Sequence, residues 1–283
     1  MDAEFSIIEA FAASHPEDVA RVLEESDESG AAALLSTLGP GRAAPVIREM
    51  VPTLAARRLD RLPADEAARI TEELGLDATA ALLRRLSAAP RGAILDAVAP
   101  GTRERSLRAL LAHAPDTAGA LMDPLVLAVP EDIRVREALE RVRSEPANAM
   151  FYVYVVGGRG QLVGVVNQRE LMLAPADAVV RSIMAAPPER LPANASAQAI
   201  VAHPAWRRVH ALPVVDRQGR FLGAIRYKTA RRLEHELGRA TKAPSPEVTA
   251  RALAELYGLA FAGMGEWALT AVRGPSSGEG EAP

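Results

Sequence analysis

Hydrophobic residues return every twelve positions through the first part of the chain: Leu38, Met50, Leu62, Leu74, Leu86, Val98 and Leu110. Helix breakers follow several of them, at Gly39-Pro40, Pro52, Pro63, Gly75, Pro90 and Pro100-Gly101. Twelve residues hold two turns of helix, at about 3.6 residues per turn, and a short connector. Helices this short do not stand alone. They must bury one face against neighbours, so the period predicts a helical array over residues 1–117, as in an α-solenoid. Asp65-Glu66 after Pro63 reads as a helix start with acids in the first turn. Ser14-His15-Pro16-Glu17 predicts another start, with Ser14 as cap and Glu17 closing a capping box.

The pattern then changes to period two and occurs twice. Val155-Val156-Gly157-Gly158-Arg159-Gly160-Gln161-Leu162-Val163-Gly164-Val165-Val166 aligns without a gap, at an offset of 59, with Val214-Val215-Asp216-Arg217-Gln218-Gly219-Arg220-Phe221-Leu222-Gly223-Ala224-Ile225. Each copy reads as strand, tight turn, strand, helix. Gly160 and Gly219 stand where the turn needs positive φ. Gly164 and Gly223 lie inside the second strand, where a missing side chain marks close approach of another backbone or a ligand. Upstream, Leu121-Met122-Asp123-Pro124 and Ile183-Met184-Ala185-Ala186-Pro187 each precede a short strand (125–129; 190–192) and a helix (135–143; 195–202). The unit is strand, helix, strand, strand, helix, about 60 residues long. One unit is too small to bury a good core, so the two are expected to pack together.

Composition narrows the function. Net charge is −3, so nothing drives the chain as a whole toward nucleic acid or anionic lipid. There is no cysteine, which excludes disulfides, thiolate nucleophiles and thiolate metal sites and suits a reducing compartment. The N-terminus Met1-Asp2-Ala3-Glu4 does not read as a signal peptide. The longest apolar run, 253–272, is interrupted by Glu255, Gly258, Gly263, Gly265 and Glu266, so no transmembrane segment is expected.

No nucleophile elbow, Walker loop or Rossmann glycine pattern occurs, so no enzyme is expected. His15, His113, His203, His210 and His235 are scattered and read as helix-surface or turn residues. The adjacent acids Glu24-Glu25, Asp65-Glu66 and Glu72-Glu73 read as solvated helix faces.

The duplicated unit resembles a tandem pair of CBS domains throughout residues 120–240. The preceding array resembles the cytosolic N domain of the MgtE family of magnesium transporters. That likeness is carried by His15-Pro16-Glu17-Asp18-Val19-Ala20, Leu59-Asp60-Arg61-Leu62-Pro63-Ala64-Asp65-Glu66-Ala67 and Asp116-Thr117-Ala118-Gly119-Ala120-Leu121-Met122. It covers roughly residues 10–240, and the family's membrane pore has no counterpart in the sequence. The implied fold is α+β multidomain, an N-terminal superhelical helical array followed by a tandem βαββα pair. Residues 1–119 are the helical domain, 120–183 and 184–241 the two CBS domains, 242–272 a C-terminal helical segment and 273–283 a disordered tail.

CBS pairs often bind adenine nucleotides, and the resemblance places phosphate- and ribose-binding positions at Asn167 and Glu170 in the first copy and at Arg226 and Thr229 in the second. It also implies Mg²⁺ sensing by clustered acids. Asp216 matches an acid of that set, whereas Gln218, Lys228, Thr229, Arg231 and Arg232 stand where the family tends to be acidic. No cofactor is fixed by this; Mg²⁺ and adenine nucleotide both stay open. The expected role is a cytoplasmic, non-enzymatic regulatory or scaffold protein. It would dimerise through the apolar helix faces at Val135, Ala138, Leu139, Val142, Ala199 and Ile200, and dock a transporter or another membrane complex. The alternatives are a small-ligand sensor and the cytosolic subunit of a split magnesium transporter.

Overall fold

Pro16, Pro40 and Pro52 each open a helix in the first part of the chain, because proline's fixed φ suits the first turn and its missing N–H is not needed there. The computed structural model describes residues 2–146, 148, 152–186 and 189–242, with side chains between Ile8 and Gly238. The expected linker at 243–246, the helical segment at 247–272 and the tail at 273–283 lie outside the described residues. Two compact units divide at Arg231 and Arg232.

Ten helices open the first unit: α1 (Asp2–Ser14), α2 (Pro16–Glu25), α3 (Glu28–Leu38), α4 (Pro40–Glu49), α5 (Pro52–Asp60), α6 (Ala64–Glu72), α7 (Leu76–Leu83), α8 (Ala88–Ala97), α9 (Thr102–Leu111) and the short α10 (Ala118–Leu121). Helices pack on their second neighbours: α2 on α4, α4 on α6 and α6 on α8 make one row, and α3, α5, α7 and α9 make the other. The twelve-residue period marks the C-terminal ends of successive helices, and Leu38, Met50, Leu62, Leu74, Leu86, Val98 and Leu110 are all buried. The predicted cap at Ser14 is corrected. Ser14 ends α1, its hydroxyl donating to the Ala10 carbonyl at 3.1 Å, and His15 holds the N-cap position of α2 without a side-chain cap bond. Pro16 starts α2 by its own backbone geometry, so no capping box forms.

The duplicated part forms two three-stranded sheets. The first holds β1 (Ala128–Pro130), β2 (Tyr152–Val156) and β3 (Leu162–Asn167), with α11 (Val135–Ser144) between β1 and β2 and α12 (Gln168–Leu173) after β3. The short α13 (Val180–Ile183) leads to the second sheet of β4 (Leu191–Pro192), β5 (Ala211–Val215) and β6 (Phe221–Arg226). Between β4 and β5 lie α14 (Ala197–Val201) and a 3₁₀ turn (Pro204–Arg207), and α15 (Tyr227–Lys242) follows β6. In each sheet the first strand pairs parallel and the last antiparallel with the middle one. The opening strands are shorter than expected from sequence, starting at Ala128 and Leu191.

The two copies interlock by backbone. Leu162 N–H donates to Gly219 C=O at 3.1 Å, and Phe221 N–H, its counterpart, donates to Gly160 C=O at 2.9 Å. Gly160 and Gly219 have φ of 77° and 76°, as the turn requires. Each copy's leading segment crosses to the other's last strand: Asp123 pairs with Ala224, and Ala185 pairs with Val165. A Cβ on Gly223 would lie 2.5 Å from the Asp123 carbonyl oxygen, and one on Gly164 would lie 2.5 Å from Met184 Sδ. The close approach predicted at both glycines is therefore made by protein.

The apolar helix positions expected to form a dimer face are largely internal. Val135 and Ala138 sit in the core of the first copy, with Leu139 and Val142 packed against it, and Ile200 is buried. A three-stranded sheet covered by a few short helices has no other core to offer, so the amphipathic face turns inward.

Candidate functional site

The site begins with the alternation of β2. Val153 and Val155 face the core of the first copy, so Tyr152 and Tyr154 face the other way, toward the second copy. Tyr154 stacks on Phe221 with ring centroids 4.7 Å apart. From the second copy come the start of β5 (His210, Ala211) and the turn from β6 into α15 (Arg226, Tyr227, Lys228). Tyr227 N–H donates to His210 C=O at 2.9 Å and ties these two together. With Val126 and Asn148 they line a cavity of about 170 Å³. The chain has only four tyrosines, and three of them line this cavity.

Its electrostatics favour an anion. Arg226 and Lys228 reach it beside the N-terminus of α15, where the backbone N–H groups and the helix dipole are positive. Arg226 pairs with the carboxylate of Asp123, whose other oxygen accepts from Leu125 N–H at 3.0 Å. The Tyr154 side chain is buried and its hydroxyl has no hydrogen-bond partner among the described residues. Burial, reinforced by Tyr152 and opposed by Arg226, pushes that hydroxyl above the ordinary tyrosine range, so it stays protonated. A buried hydroxyl without a partner is costly.

Of the residues singled out from sequence, Arg226 lines the cavity. Thr229 is half-buried in the first turn of α15 and is not part of the lining. Asn167 and Glu170 form the capping box of α12: Asn167 Oδ1 accepts from Arg169 N–H at 2.9 Å, and Glu170 accepts from Asn167 N–H at 3.2 Å. Asp216 organises the β5–β6 turn, its Oδ1 accepting from the N–H groups of Gln218 and Arg220 at 2.9 Å and its Oδ2 pairing with Arg220 Nε at 2.6 Å. Burial raises its pKa, but the hydrogen bonds from Arg220 and Gln218 outweigh this and hold the carboxyl below its usual range. His15, Glu17 and Asp18 come together at the start of α2, where Asp18 pairs with Arg21 at 3.2 Å. His203 accepts from Ala205 N–H at 3.3 Å as a turn cap.

The sequence does not single out Tyr152, Tyr154 or Tyr227, and it offers His210 only as a scattered histidine and Lys228 only as a position where the family tends to be acidic. The usable signal was three tyrosines, in a chain only 4% aromatic, at the entrance to one strand and the exit of another. Their convergence depends on the packing of the two copies.

The chain matches the family model of the MgtE intracellular N domain over residues 14–116 and that of the CBS domain over residues 118–177. It is 33% identical over 132 residues to the magnesium transporter MgtE of Thermus thermophilus, covering 46% of this chain and 29% of that protein. It is 28% identical over 85 residues to MgtE of Bacillus subtilis, covering 29% of this chain and 19% of that one. The matched stretch is thus less than a third of either relative. Among solved structures, the cytosolic domain of the Mg²⁺ channel MgtE in complex with ATP matches with a TM-score of 0.63 and 28% identity, over 77% of this chain and 90% of that one. The soluble part of a magnesium transporter shares the fold, with a TM-score of 0.56 and 17% identity, over 83% and 98% of the two chains. No helix among the described residues is long and apolar enough to cross a membrane. The chain carries an MgtE intracellular N domain followed by a CBS pair, and is homologous to the cytosolic region of MgtE magnesium transporters.

Proposed function

We propose that this chain is a non-enzymatic cytoplasmic regulatory module that binds an adenine nucleotide in its tyrosine-lined cavity and passes the bound state to a protein partner. The observation that carries the reading is the cavity itself: aromatic walls for a base, and Arg226 and Lys228 for phosphate. The ATP complex of the homologous cytosolic domain supports the same ligand class. Arg226 takes the phosphate-binding role, with Asn167 and Glu170 left to cap α12 and Asp216 to the hairpin. The helical array is the docking surface, for a magnesium transporter or another membrane complex. A homodimer is formed through the exposed end of α12, where Met172 and Leu173 stand in solvent.

Calorimetric titration of the full chain with ATP tests the ligand. Saturable binding is expected, weakened about tenfold by Lys228→Gln and further by Arg226→Gln, since a charge-assisted hydrogen bond contributes about 1.5–3 kcal/mol. Absence of binding, or variants that bind as the parent does, would refute the assignment.

A further inference from the structure

We propose that the cavity reads the base and the phosphates of its nucleotide but not the ribose hydroxyls, so that ribo- and deoxyribonucleotides bind alike. This inference rests on the nucleotide reading above. A vicinal diol is held best by a carboxylate, which offers two acceptor oxygens side by side and no donor. Among the described residues no aspartate or glutamate lines the cavity.

Of the acids bonded to its lining residues, Asp123 has both oxygens engaged and Glu145 one. Asp123 is behind Arg226, one oxygen taken by the guanidinium and the other by Leu125 N–H. Glu145 accepts from Asn148 Nδ2 at 2.9 Å. The groups that face the cavity are phenols, an amide, an imidazole and two cations. The aromatic side chains suit a heterocyclic base, which carries a π face. Arg226, Lys228 and the start of α15 suit phosphate.

Specificity follows from what a site leaves unpaired. A site built to hydrogen-bond a hydroxyl rejects the analogue lacking it by about 10⁴-fold or more. A site with no group committed to that hydroxyl has nothing to leave unpaired, and discriminates by less than about tenfold.

The experiment is competitive titration of the full chain with ATP, 2′-deoxy-ATP, 2′,3′-dideoxy-ATP and adenosine. The three triphosphates are expected within about threefold of one another, with adenosine at least tenfold weaker. Deoxy-ATP weaker than ATP by tenfold or more overturns the inference while leaving nucleotide binding standing. Failure of all four to bind overturns the nucleotide reading itself. Tyr152→Ala, which removes an aromatic wall, is expected to weaken all three triphosphates in the same proportion. If it changes the ratio of ATP to deoxy-ATP, Tyr152 reads the sugar and the inference is wrong.

Discussion

Three arginines hold the helical array together by reaching the ends of helices other than their own. Arg58 of α5 is buried and donates to the carbonyls that end α2: Leu23 at 3.0 Å, Ser26 at 2.7 Å and Glu24 at 3.4 Å. Arg103 does the same for α6, donating to Thr71 and to Leu74, and Arg84 does so for α9 at Leu110 and His113. The last carbonyls of a helix have no partner inside it and carry the negative end of its dipole, so a buried guanidinium fork satisfies both needs. Arg58→Met keeps the length of the side chain and removes the donors. It is expected to destabilise the array by about 2–4 kcal/mol, because several buried carbonyls lose a charged partner together. Urea unfolding followed by circular dichroism measures this, and a midpoint unchanged from the parent would contradict it. Nothing in the local sequence distinguishes Arg58 from the exposed Arg57 beside it, since the partners lie more than thirty residues away.

At the scale of the element, the twelve-residue period predicts the short helices and a buried residue near the end of each, because each helix must bury a face within its two turns. Hairpins were equally legible, since a tight turn between paired strands asks for a residue with positive φ and glycine meets it. What the pattern could not show is that Asp216 is spent inside its own turn. Its carboxyl is held below the usual carboxylate range, so the charged form stabilises the fold. That contribution is complete above the unfolded-state value of about 3.9 and is lost as pH falls through the lower folded value. Asp216→Asn is therefore expected to be less stable than the parent at neutral pH, with the difference closing on acidification below about pH 4. Thermal melts across pH 2–7 measure this, and a difference independent of pH would show the ionised carboxylate is not the stabilising form.

At the scale of the whole molecule, the two copies are tied together by backbone. Each leading segment finds its backbone partners on the other copy's last strand, and the hairpin tips bond reciprocally. Residues 118–183 expressed alone leave Asp123 without Ala224 and expose the face carrying Tyr154, so they are expected to show no cooperative thermal transition. Residues 118–242 are expected to show one. A sharp, reversible melt of the shorter piece would refute the interlocked reading. Gly223→Val in the full chain is expected to act in the same direction, because its side chain would occupy the space of the Asp123 carbonyl.

The sequence by itself determined the periodic helices, the duplicated sheet units, the positive-φ turn glycines and the lack of any enzyme motif. These are properties of segments a few residues long, where backbone sterics and hydrophobic period leave little choice. Tertiary structure alone decided which amphipathic faces became core, which arginines cap which helices, and that Tyr152, Tyr154, Arg226, Tyr227 and Lys228 share one cavity. A cavity between two packed copies is defined by residues about 75 positions apart in the chain, and no local pattern encodes that distance. Thr229 stands at the ribose-binding position that the resemblance implies, but whether a carboxylate from elsewhere lines the cavity required knowing which side chains surround the space.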